Sequence, residues 1–62
     1  MTPQDLRDQM TKHNYDKPKL AAALNKKYGE IINPVTVKKV DHWMYGHNKI
    51  PPYVETFFRK KS

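Results

Sequence analysis

Residues 40–52 read Val40-Asp41-His42-Trp43-Met44-Tyr45-Gly46-His47-Asn48-Lys49-Ile50-Pro51-Pro52, and upstream of them stands Leu20-Ala21-Ala22-Ala23-Leu24. In the first string an aliphatic side chain and an indole lie three residues apart, the spacing of one helix face, and glycine follows as a stop. Thr36 can cap this helix. Val40 and Trp43 then point inward and leave Val37, Lys38, Asp41 and His42 outward. In the second string two leucines one turn apart flank an alanine, and the alanine run adds intrinsic helix preference. Two helices meeting at a steep angle need a small residue at the crossing, which Ala21 supplies, and bulk from the opposite side, which Val40 and Trp43 supply.

Working outward, Thr2, Pro3 and Asp5 give an N-cap, a first-turn proline and an acid suited to the positive end of the helix dipole. A helix to about His13 is predicted, with Leu6 and Met10 on its apolar stripe and Arg7, Asp8 and Lys12 elsewhere. Asn14 to Asp16 form the break. Asp16 or Lys17 caps the next helix, Pro18 sits in its first turn, and Lys19 to Tyr28 continue it. Its inner face is Leu20, Ala21 and Leu24, with Tyr28 on the same stripe, and Gly29 reads as its C-terminal stop. Glu30 to Val35 lack a helical period and read as a connection whose isoleucines tuck into the core. After the polar turn His47 to Lys49, Ile50 plugs the core and Pro51-Pro52 open a last helix with Val54, Phe57 and Phe58 inward and Glu55, Arg59, Lys60 and Lys61 in water.

The chain has 62 residues, 12 Lys and Arg against 6 Asp and Glu, a net charge of +6, no cysteine and 37% apolar residues. One small domain spanning 1–62 is expected, because a chain of about 60 residues buries only about 60% of its unfolded surface and favours an efficient helical core. The lack of cysteine excludes disulfide frameworks, thiolate zinc sites and cysteine nucleophiles, and fits a reducing compartment. The longest apolar run, Leu20 to Leu24, is far short of the ~20 residues that span a bilayer, so a cytoplasmic protein without membrane association is expected. The positive excess favours a polyanionic partner. His13, His42 and His47 lack the spacing of a metal site, and no serine or acid pair frames a cleft, so neither metal, cofactor, small-molecule substrate nor enzymatic activity is expected.

From Lys17 to about Pro52 the chain resembles the Cro/repressor-type helix-turn-helix family, in which a Leu-Ala-x-x-Leu helix precedes a recognition helix written Val-x-x-Trp-x-x-Gly and a basic turn ending in Ile-Pro. Val54 to Phe58 match its closing helix. The chain departs from the family by inserting a longer segment between Leu24 and Val35, an expanded turn. The resemblance implies an all-α bundle of four to five helices, lambda-repressor-like, and a sequence-specific double-stranded DNA-binding regulator of phage or mobile-element type, a repressor acting as a homodimer on a near-palindromic operator. Carried over by position, Thr36, Val37, Lys38, Asp41 and His42 face the bases, while Lys17 and Tyr45 match phosphate-contacting positions. Lys39, His47, Asn48 and Lys49 are further candidates for phosphate contacts, which give affinity without sequence information. The chemistry agrees: Lys38 can donate to guanine, Asp41 can accept from the cytosine amino group, Val37 can touch a thymine methyl and His42 can donate or accept.

Alternatives stay open at several positions. Asp41 can instead pair with Lys38 one turn earlier. One of Phe57 and Phe58 can serve the core while the other forms a dimer patch. Val-x-x-Trp followed by Ile-Pro-Pro also fits an excisionase-like winged helix, which demands a β wing after Pro52. A basic protein-binding module or inhibitor, using Phe57 or Phe58 on an acidic partner, is the reading from a different class.

Overall fold

The computed structural model describes residues 1–61, in which four helices follow one another: α1 (Pro3–Lys12), α2 (Lys17–Tyr28), α3 (Val37–Met44) and α4 (Pro52–Arg59). No strand forms among the described residues, so the chain is an all-helical bundle. The winged-helix alternative needed a β wing after Pro52, and the chain there forms α4 instead.

The helix starts are written in local chemistry. Thr2 and Asp5 satisfy each other's backbone amides at 3.1 Å in a reciprocal capping box, which lowers the Asp5 carboxyl below its ordinary value because the bonds to Thr2 favour the charged form. Asp16 accepts from the Lys19 amide at 2.8 Å, settling the cap of α2 on Asp16. Pro3, Pro18 and Pro52 occupy first turns, where no amide hydrogen is needed. α1 ends on Asn14 at φ 59, with the Tyr15 amide donating to the Met10 carbonyl at 2.8 Å and the Asn14 amide to Thr11 at 3.2 Å. That is the Schellman pattern, with asparagine tolerating the left-handed position.

All four helices feed one core. Leu6 and Met10 of α1, Leu20, Ala21 and Leu24 of α2, Val40 and Trp43 of α3, and Val54, Phe57 and Phe58 of α4 are buried together with Val35. α3 packs on both α1 and α2, and small Ala21 is among the buried residues that permit this. Tyr53 sets its ring 5.6 Å from Tyr28 and 6.4 Å from Trp43, and Tyr15 lies 6.0 Å from both Phe57 and Phe58. Ile50 packs against the core as a half-buried plug.

Two expectations are corrected. The isoleucines of the α2–α3 connection do not both turn inward: Ile31 is 79% exposed, Ile32 is half-buried, and Val35 takes the core position. Phe57 and Phe58 do not divide between core and surface, since both are buried, and with them goes the aromatic dimer patch. Gly29 does end α2, as its residue type and position predict, and it does so in right-handed backbone (φ −57, ψ −20). Its missing side chain answers a close approach, because a Cβ there would run into the Asn25 carbonyl oxygen.

Candidate nucleic-acid interface

α3 has eight residues, too few to persist alone, so its ends must be fixed by the rest of the chain. At its start the Thr36 hydroxyl oxygen accepts from the Lys39 amide at 3.2 Å. One residue earlier, the Asn25 side chain grips Val35 twice, accepting its N–H at 2.8 Å and donating to its C=O at 2.9 Å. At the far end Gly46 turns at φ 79, and the His47 amide donates to the His42 carbonyl at 2.9 Å. The Arg7 guanidinium of α1 donates to the Met44 carbonyl, satisfying an orphan acceptor of the last turn.

Held this way, α3 presents two unlike faces. Val40 and Trp43 are buried, whereas Thr36, Val37, Lys38 and Lys39 are exposed and Asp41 and His42 half-exposed. Tyr45, 57% exposed, extends the outer face, and His47, Asn48 and Lys49 lie exposed beyond it. Among the described residues no ion pair or side-chain hydrogen bond engages the ammonium groups of Lys38, Lys39 or Lys49. Thr36 has spent acceptor capacity on its cap but keeps its O–H as a donor.

The structure draws the other predicted residues into two groups. In the first, Lys17 Nζ of α2 meets Asp41 Oδ1 at 2.5 Å. The partner of Asp41 is therefore Lys17, across two helices, and not Lys38 on its own helix. The bond holds the Asp41 carboxyl below its ordinary value and the Lys17 ammonium above its own, each stabilising the other's charged form. The Tyr45 ring lies 5.8 Å from Lys17 Nζ and 5.9 Å from the Arg7 guanidinium carbon, within cation–π range of both. In the second group, the Asn48 amide nitrogen is 3.1 Å from His42 Nδ1, and the His42 and His47 rings meet edge to face at 5.5 Å. An amide nitrogen only donates, so in this contact Nδ1 is the acceptor.

The outer face thus offers unpaired lysines, an imidazole, a branched apolar side chain and one carboxylate. This mixture can read base edges, while the lysines and the turn can hold phosphates. No group of three or more His, Asp or Glu side chains is placed to hold a metal ion among the described residues. Two contributors escaped the sequence reading. Arg7 lies off the apolar stripe of α1, and nothing in its spacing announces a bond to α3. Asn25 had a signal: a poor helix former one turn after buried Ala21 marks a side chain with a tertiary task. Comparisons with family models, curated proteins and solved structures return no match.

Proposed function

We propose that the chain is a sequence-specific double-stranded DNA-binding regulator of the Cro/repressor helix-turn-helix type, with α3 in the major groove. The observation that carries this reading is the asymmetry of α3: Val40 and Trp43 seal its inner face while Val37, Lys38, Lys39 and His42 stand outward. A helix with solvent on its polar side has the width the major groove accepts, and the net charge of +6 supplies sequence-independent attraction to phosphates. The connection from α2 to α3 covers residues 29–36, longer than the three or four residues of the usual motif, so α3 enters through an expanded turn. One such helix spans few base pairs. Two copies on half-sites one DNA turn apart give usable affinity, which is why the regulator acts as a homodimer on a near-palindromic operator and represses by occupying a promoter.

The test is selection of bound fragments from random duplex DNA. The expected product is an inverted repeat, against which Lys38→Ala and His42→Ala each lose about 1–3 kcal/mol while losing less on random sequence. Lys49→Ala should weaken both to the same degree. Failure to enrich any sequence, or equal losses for all three variants on both duplexes, overturns the proposal.

A further inference from the structure

A carboxylate on a face that approaches phosphates is a liability, because it repels the backbone unless a donor occupies it. Asp41 is the one acidic residue of α3, and it stands one turn from both Val37 and Tyr45 on the outer side. Its donor in the free protein is Lys17, at the first position of α2. The pair is neither buried nor free: the two side chains are 36% and 37% exposed, so both remain within reach of a ligand laid on this face. Among the described residues only Asp41 Oδ1 is engaged by Lys17, and Oδ2 keeps its lone pairs. Lys17 is therefore a cation already spent inside the protein.

We propose that the Lys17–Asp41 pair is a latch that couples grip on the DNA backbone to the identity of one base pair. This inference rests on the DNA-binding reading above. Major-groove edges offer a carboxylate either donors, the amino groups of cytosine and adenine, or acceptors, the O6 and N7 of guanine and the O4 of thymine. Opposite an acceptor, Asp41 has no substitute for Lys17, so the pair stays closed and one phosphate goes without a cation. Opposite the cytosine amino group, Asp41 gains a replacement donor, and Lys17 swings to a phosphate. The bond exchanged is one hydrogen bond for another, so sequence decides the outcome. Asp41 is thereby a specificity-determining residue that acts chiefly by penalising wrong sequence, and Lys17 is its positioning partner.

The experiment measures affinity for random-sequence duplex against salt concentration for the wild type, Asp41→Asn, Lys17→Met and the double variant. Each phosphate neutralised adds about 0.9 to the slope of log affinity on log salt. Asp41→Asn should bind random duplex about tenfold more tightly near 0.1 M salt, with a slope steeper by about 1 per protomer. The double variant should return to the wild-type slope, and Lys17→Met, which leaves Asp41 uncompensated, should bind random duplex more weakly than the wild type. On a selected operator the wild type should already show the steeper slope, and Asp41→Asn should abolish the difference in slope between operator and random duplex. An Asp41→Asn slope on random duplex equal to that of the wild type overturns the latch while leaving DNA binding in place. A wild type that binds no duplex removes the parent reading and the latch together, so the two failures are distinguishable.

Discussion

The two ends of α3 are held by different kinds of information. The turn at its C-terminal end is shaped by local backbone chemistry, with Gly46 at φ 79, a bond from His47 back to His42 and Pro51-Pro52 opening α4, and a long-range bond from Arg7 to the Met44 carbonyl is added to it. Its N-terminal end follows a connection over residues 29–36, with Ile31 in solvent, and is fastened by a side chain ten residues away, the double grip of Asn25 on Val35. The short turn is a matter of allowed dihedrals. The long one depends on tertiary contact. A chain can lengthen the second kind of connection and still aim its helix, provided one anchor near the helix start is preserved.

The sharpest way to break both ends at once is Trp43→Ala, which removes the ring seated between them. It should cost about 3–5 kcal/mol, and chemical denaturation should find little folded protein; a variant that stays folded contradicts the core placement. Asn25→Ala separates the ends. It leaves the Val35 N–H and C=O without their partner, a loss of about 1–3 kcal/mol, and amide exchange should quicken at residues 35–39 but not at 45–49. Gly46→Ala probes the opposite end. A Cβ there finds space, its nearest neighbour being Pro3 Cγ at 3.6 Å, so the cost is the left-handed backbone alone, about 1–2 kcal/mol. Ile31→Ser should change stability by no more than about 0.5 kcal/mol, because the side chain already lies in water.

The smallest effect is on pH. Asp41 is depressed below 3.8 by Lys17, and Lys17 is raised above 10.5 by Asp41. The stability contributed by Asp41 is present above its unfolded value and lost as pH falls through its depressed folded value. That contributed by Lys17 is present below its unfolded value and lost as pH rises through its raised one. The difference in melting temperature between the wild type and Asp41→Asn should therefore be present across neutrality and shrink below about pH 4 and above about pH 10. A difference that persists undiminished at both extremes would mean another group controls the pair.

The elements whose signals are local were legible in the sequence. Thr2, Asp16 and Thr36 cap as residue type and position foretold, and Leu6, Met10, Leu20, Leu24, Val40, Trp43 and Val54 are buried at helical spacing. What escaped depends on contacts between elements. Ile31 and Ile32 look alike in sequence, and only the bonds of both amides to the Tyr28 carbonyl, with the grip on Val35, decide which turns outward. Phe57 and Phe58 both lie inward as their helical stripe predicts, and the alternative that leaves one of them on the surface fails because Tyr15 and His13 cover the second ring, with His13 stacked on Phe58 at 5.8 Å. Within the candidate site the outward set of α3 followed from periodicity. The Lys17–Asp41 pair and the Arg7 bond to Met44 join residues 24 and 37 positions apart, and no local pattern encodes such pairs.

The proposed function requires that the outer face of α3 meet the duplex. Titrating the isotopically labelled protein with an operator-length duplex and following backbone amide shifts tests it most directly. The largest changes should cluster at residues 36–42 and 45–49 and at Lys17, with α4 little altered. Changes confined instead to the cleft between α1 and α4 lined by Asp5, Asp8, Gln9 and Glu55, with α3 unmoved, would contradict it.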